Sequence, residues 1–192
     1  MTLRADDVTG LILAGGKATR LGGVDKRQLV VDGRTIFERQ IEVLGPCVAE
    51  ILVSSPRPVA GYRTVVDPVA DVGPLAGIAA GLAAATTPWL FVLAGDMPGV
   101  RRALIELVLA HGGPESDAVG IRIGTRAEPL CSVLRVAVWR PIVIARIAAQ
   151  RLRASSLLTE AHVRVRWIEE DEVRAIDPRL QSLRNVNTPE DL

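Results

Sequence analysis

Cysteine is scarce in this chain of 192 residues. There are two, Cys47 and Cys131, 84 positions apart and outside any CxxC pair. That excludes a disulfide framework and argues against a cysteine-based zinc site. Two buried, reduced thiols are expected instead. Histidine is equally scarce: His111 and His162 stand alone, which excludes a histidine-rich metal site. An excess of charge is missing too. Lys+Arg is 23 and Asp+Glu 22, a formal net charge of +1, whereas a dedicated nucleic-acid binder usually carries a basic surplus. The 17 glycines and 12 prolines follow no period, so collagen-like and low-complexity readings fail. The opening MTLRADDVTG holds two aspartates and no apolar core, so no signal peptide and a cytoplasmic location are expected. A hydrophobic share of 48% against 23% charged rules out intrinsic disorder. The length suits one domain, 1–192, with a sizeable core.

One stretch calls for a membrane check. Residues 72–95 form an uncharged run of 24, long enough to span a bilayer. It is broken by Gly73, Pro74, Gly77, Gly81, Thr86, Thr87 and Pro88. It divides into an Ala-rich helix, a Thr-Thr-Pro turn and a short apolar strand, so no membrane span is expected.

Periodicity predicts strands alternating with helices. VTGLILAG (8–15) is a continuous apolar run ending in glycine, the pattern of a buried parallel strand. Residues 35–45 place Ile36, Phe37, Gln40, Ile41 and Leu44 at helical spacing, with Thr35 as start signal and Gly45 as stop. Strands are expected at 50–55, 64–67, 89–96, 117–123, 129–135 and 163–169. Helices are expected at 73–85, 101–113 and 138–152, with a short one at 155–161 and another beginning at Thr188-Pro189. Such alternation predicts a mostly parallel sheet covered on both faces, in a single α/β domain without repeat or linker.

In open α/β sheets, ligands bind beyond the carboxyl ends of the strands. After the first strand comes LAGGKATRLGGVDK, with Gly15, Gly16, Gly22 and Gly23 among the cations Lys17, Arg20 and Lys26. Glycines let backbone N–H groups approach a ligand and the cations neutralise phosphate oxygens, which suits a nucleoside triphosphate. The loop is not a Walker A sequence, because Leu11 stands where its first glycine belongs and Ala18 follows Lys17; nor is it G-x-G-x-x-G. A solvated surface loop is the bland alternative. Ser54 and Ser55 end the second long strand and offer hydroxyls. Asp67 and Asp71 follow the third; a turn role before Pro68 competes for Asp67. Asp96, in GDMP, ends a fully apolar strand. It lies too far upstream to cap the next helix and is a candidate ligand for Mg²⁺, which takes one or two carboxylates plus phosphate and water. Asn185 and Asn187, ahead of the Thr188 cap, are neutral oxygen donors for a metal or phosphate.

The strings LAGGKATRLGGVDK, GPLAG, GDMP, EPLCSVL and NVNTPEDL occur in the order and at about the spacing seen in the molybdenum cofactor guanylyltransferases. The chain resembles that family from about Val8 to Leu192. The resemblance implies a Rossmann-like, three-layer α/β domain with a mostly parallel, mixed central sheet. It implies an enzyme that transfers GMP from Mg·GTP to the terminal phosphate of molybdenum-molybdopterin, giving molybdopterin guanine dinucleotide and pyrophosphate. Leu13, Ala14, Gly15 and Gly16 match the nucleotide loop, with backbone groups reading the base. Arg20 and Lys26 match the cations on the triphosphate, and Asp67 an acid of the nucleotide site. Asp96 matches the Mg²⁺ ligand. Asn185 and Asn187 match asparagines near the phosphates and acceptor. Ser54 stands where the family's base- or ribose-contacting residue, usually asparagine, is found. Arg27 and Gln28 also depart from the family, which has a small residue or proline after Asp-Lys. Arg122, Arg126 and Arg135 are candidates for holding the pterin phosphate. The implied partners are GTP, molybdenum-molybdopterin, and the proteins of molybdenum insertion and molybdoenzyme maturation. Alternatives are a cytidylyltransferase for the same cofactor, a sugar-1-phosphate nucleotidyltransferase, or a non-catalytic nucleotide-binding homologue.

Overall fold

The computed structural model describes residues 2–14, 29–66 and 73–186. The first strand, β1 (Val8–Leu13), is buried along its whole length, as an apolar run with sheet neighbours on both sides must be. A hairpin of β2 (Val30–Val31) and β3 (Arg34–Thr35) follows the undescribed 15–28 segment. Its two-residue turn is Asp32-Gly33, with φ of 48° and 81°. Positive φ at both positions is the type I′ geometry that Asp-Gly favours. The hairpin was not expected from the sequence.

Thr35 then caps α1 (Ile36–Leu44). Its hydroxyl accepts from Glu38 N at 3.1 Å, and Glu38 Oε2 accepts from Thr35 N at 2.8 Å. Two otherwise unpaired N–H groups are thereby satisfied. β4 (Glu50–Ser54) and β5 (Arg63–Val65) lead to α2 (Pro74–Ala84), entered through Gly73 at φ 68° with Pro74 at its first position. β6 (Trp89–Ala94) is again buried throughout. After it come α3 (Arg102–Ala110), β7 (Ala118–Ile123), β8 (Arg126–Arg135), α4 (Val136–Ala148), β9 (Val165–Ile168) and α5 (Glu170–Ile176).

Three boundaries differ from expectation. α4 begins at Val136, upstream of Pro141, and carries that proline inside it. The short helix expected at 155–161 is a 3-10 helix over Ala154–Thr159. α5 was not expected at all. Its signals are a reciprocal Glu169–Glu172 cap and acids in the first turn, with Val173 its one buried residue. The terminal helix expected from Thr188 lies outside the described residues.

The seven-stranded sheet runs β5-β4-β1-β6-β8-β7-β9. β8 alone is antiparallel to its neighbours; the other pairings are parallel. On one face Ile12, Phe91, Leu93 and Val133 pack beneath α1, α3 and α5 through Leu44, Leu104, Val108 and Val173. On the other, Leu11, Leu52, Leu90 and Val92 pack beneath α2 and α4 through Ile78, Leu82, Trp139 and Val143. The molecule is thus the expected three-layer α/β fold with a mixed, mostly parallel sheet. Both cysteines are buried and unpaired, Cys47 and Cys131 alike. Among the described residues no helix is long and apolar enough to cross a membrane.

Candidate active site

From β1 the chain moves outward to β4 and β5, then returns across β1 to β6 on its other side. That reversal opens a crevice beyond the carboxyl ends of β1, β4 and β6. Three backbone contacts assemble it. Ala14 N donates to Ser54 O at 2.9 Å, tying β1 to β4. Gly95 N donates to Leu13 O at 3.0 Å, tying β6 to β1. Val186 N donates to Asp96 O at 2.8 Å. The last contact returns a residue 90 positions away to the same edge of the sheet.

The glycines of the motifs are there for space. A Cβ at Gly95 would lie 2.5 Å from Leu13 O, so no side chain fits where β6 passes β1. In GPLAG, a Cβ at Gly77 would lie 2.5 Å from Ser54 Oγ and 2.8 Å from Leu13 Cδ2. One turn on, a Cβ at Gly81 would lie 2.5 Å from Leu11 Cδ2. These two residues seat α2 directly on the ends of β1 and β4.

The structure brings together Leu13, Ala14, Ser54, Asp96 and Asn185 among the residues singled out from the sequence. Leu13 is buried and Ala14 half-buried at the mouth of the crevice. Ser54 is 2% exposed, its hydroxyl tucked against Gly77. Asp96 is half-buried in the turn after β6, and Asn185 is exposed beside it. The N-cap of α3 is Arg101 rather than Asp96, so capping does not account for this carboxylate. Gly15, Gly16, Lys17, Arg20, Lys26, Asp67, Asp71 and Asn187 lie outside the described residues.

The arginines proposed for the pterin phosphate have other partners. Arg122 is bonded to Glu169 and lies over the Trp167 ring. Arg126 pairs with Glu128 at 2.9 Å. Burial pushes the Glu128 carboxyl upward, partly offset by Arg126. Arg135 corrects the expectation outright. Its register partner is Trp89, at the amino end of β6, so it sits at the opposite edge of the sheet from Asp96. There it donates to the carbonyls of Gly113 and Ser116 at 2.7 and 2.6 Å and covers the Trp89 ring.

One residue of the site's surroundings was visible in the sequence only as a polar letter on an apolar helical face. Gln40 of α1 is fully buried. Its Nε2 donates to Ala94 O at 2.7 Å and Met97 O at 3.3 Å, on either side of Asp96.

As a metal centre the site is sparse. Among the described residues no three His, Cys, Asp or Glu side chains cluster as a cage. A single half-buried carboxylate at a crevice suits Mg²⁺, which keeps its waters and takes its remaining ligands from substrate phosphate. It does not suit a resident structural metal, which needs a closed set of protein ligands.

Residues 10–165 match the MobA-like NTP transferase domain. A molybdenum cofactor guanylyltransferase of Desulfosudis oleivorans is 32% identical over 97% of this chain and 93% of its own. A protein of the same name from Pseudomonas aeruginosa is 35% identical over 94% of this chain and 90% of its own. Among solved structures, the molybdopterin-guanine dinucleotide biosynthesis protein A of Archaeoglobus fulgidus superposes with a TM-score of 0.79. It covers 95% of this chain and 94% of that one at 22% identity, a likeness of fold. Sheet order, crevice and relatives together define a nucleotidyltransferase, an enzyme of molybdenum cofactor biosynthesis. The chain belongs to the MobA-like NTP transferase family.

Proposed function

We propose that the protein transfers GMP from Mg·GTP to the terminal phosphate of molybdenum-molybdopterin in the cytoplasm, releasing pyrophosphate and forming molybdopterin guanine dinucleotide. The observation that carries this reading is the Asp96 carboxylate at the carboxyl end of β6, beside the end of β1, in a chain whose relatives are named for that transfer.

The reaction needs no nucleophilic side chain. An acceptor phosphate oxygen bonds to the α-phosphorus of GTP as the bond from that phosphorus to the α–β bridging oxygen breaks. Pyrophosphate leaves with the electron pair. Two polyanions meet, so positioning and charge neutralisation carry the catalysis. The backbone of Leu13, Ala14, Gly15 and Gly16 is assigned to reading the guanine. Ser54 and Asp67 support the nucleoside, and Arg20 and Lys26 take the charge that grows on pyrophosphate. Asp96 would hold Mg²⁺, which when bound supplies positive charge at the phosphates. Asn185 and Asn187 are assigned to the phosphates and acceptor. Molybdenum-insertion and molybdoenzyme-maturation proteins are the partners this chemistry requires before and after it.

The test is pyrophosphate release with molybdenum-molybdopterin as acceptor and GTP, CTP, ATP or UTP as donor. Guanine presents N1–H and N2–H₂ donors and an O6 acceptor, and adenine reverses the pattern at positions 1 and 6. Each buried backbone group left unpaired by the wrong base costs about 1–3 kcal/mol, so GTP is expected to lead ATP on the order of 10²-fold. A CTP preference would move the protein to cytidylyl transfer.

A further inference from the structure

The turn that carries Asp96 is held at four consecutive residues. Gly95 N and Asp96 O are fixed by Leu13 and Val186. Ala94 O and Met97 O are fixed by a single side chain, the Nε2 of Gln40. Both of its partners are acceptors, so the NH₂ end of the amide must face them, whichever way the amide is drawn. Packing does not explain a glutamine here. Its neighbours on the same buried face of α1 are Ile36 and Leu44, and an apolar residue would fill the space without the cost of burying an amide. Gln40 Oε1 is itself buried with no hydrogen-bond partner among the described residues. Among the described residues, then, only the donors of this amide are engaged, and both engage the turn around Asp96.

We infer that Gln40 is a positioning residue, its amide fixing the Ala94–Met97 turn so that the Asp96 carboxylate is presented to the catalytic cation. The inference rests on the reading of Asp96 given above. A side chain in the next shell is known in metal sites to set the orientation of the ligand it supports. Here it does so through the main chain on either side of the ligand, from α1.

The test uses Gln40→Leu, close in volume and without a donor. Mn²⁺ serves as a paramagnetic probe, titrated into the full-length protein with GTP present. Mn²⁺ binding should weaken about tenfold, the lower end of what outer-shell substitutions do. Hydrogen exchange at the Gly95 and Val186 amides should quicken, while Leu11 and Val92 in the sheet stay as they were. A residue that merely packs would lower the melting temperature and leave Mn²⁺ affinity and those two exchange rates unmoved; that result overturns the inference. Should Gln40→Leu not fold, the wild-type protein carries the test. Its Gln40 side-chain amide protons should be protected from exchange and should shift when Mg²⁺ joins the GTP complex, and a silent signal refutes the assignment. Asp96→Asn separates the two claims. If it binds Mn²⁺ as the wild type does, the metal reading falls and takes this inference with it. If Asp96→Asn loses the ion and Gln40→Leu keeps it, only the role of Gln40 falls.

Discussion

Gly95 and Asp96 divide a task between adjacent residues. The first has no side chain because Leu13 O occupies the place a Cβ would need. The second stands in the turn after β6, half-buried, with its main chain already bonded to Val186. Asp96→Asn keeps the shape and loses the charge. We expect it to remain folded and to lose Mg²⁺-dependent turnover by at least about 10²-fold. Steady-state pyrophosphate release against Mg²⁺ concentration checks this, and near-normal turnover at ordinary Mg²⁺ would overturn the metal role proposed for Asp96. Asp96 was legible in the sequence because a carboxylate ending an apolar strand has no place in a core. Gln40 was visible as a residue but not as a contact. Its partners are fixed only when α1 settles on the carboxyl end of β6, a tertiary event that periodicity does not encode.

Elements show the same division. β1 and β6 were legible as unbroken apolar runs, and both are buried end to end. α1 declared itself through Thr35 and its apolar spacing. β2 and β3 escaped because two-residue strands have no period to detect, although Asp32-Gly33 marked the turn. α5 escaped because its charged first turn hides one buried valine. α2 was predicted as a helix, but the reason for its glycines was not readable until the helix met the sheet. That contact gives a prediction. In Gly77→Ala the new methyl meets the side chains of Ser54 and Leu13, so either those side chains or α2 must shift. Overpacking of this kind costs typically about 1–3 kcal/mol. We expect a melting temperature lower by roughly 2–10 °C together with a raised KM for GTP. A stability loss with KM unchanged would show that α2 supports the fold but not the crevice.

Across the whole molecule, ion pairs tie Asp117, just before β7, to Arg164, just before β9, and Arg146 of α4 to Glu160. Asp117 accepts from Arg164 through both oxygens, at 3.1 Å each, and from Arg164 N at 3.0 Å. The Arg164 hydrogen bonds hold its carboxyl below the ordinary aspartate range. Glu160 is likewise lowered, first by its hydrogen bond from the buried Arg146. Carboxyls harder to protonate folded than unfolded stabilise the protein above their ordinary pKa values. That stabilisation fades as pH falls through the lowered folded values. Melting temperature should therefore be insensitive to these groups near neutrality and fall steeply below about pH 4. Asp117→Asn should be less stable than wild type at pH 7, with a shallower acid limb. Superimposable acid limbs would discount the pair.

The two thiols supply a clock for the opening of this sheet. Cys131 lies in β8 at 1% exposure, its thiol pushed up to about 12 by burial. Cys47 is 5% exposed and raised for the same cause. Disulfide reagents are attacked by the thiolate, and the closed protein offers almost none. Labelling of Cys131 then marks a moment when the strands have parted, and labelling of Cys47 one when the turn after α1 has opened. Labelling at excess reagent should proceed at the rate of global opening, reach both sulfurs in denaturant, and slow when nucleotide binds, with no probe attached and no residue changed.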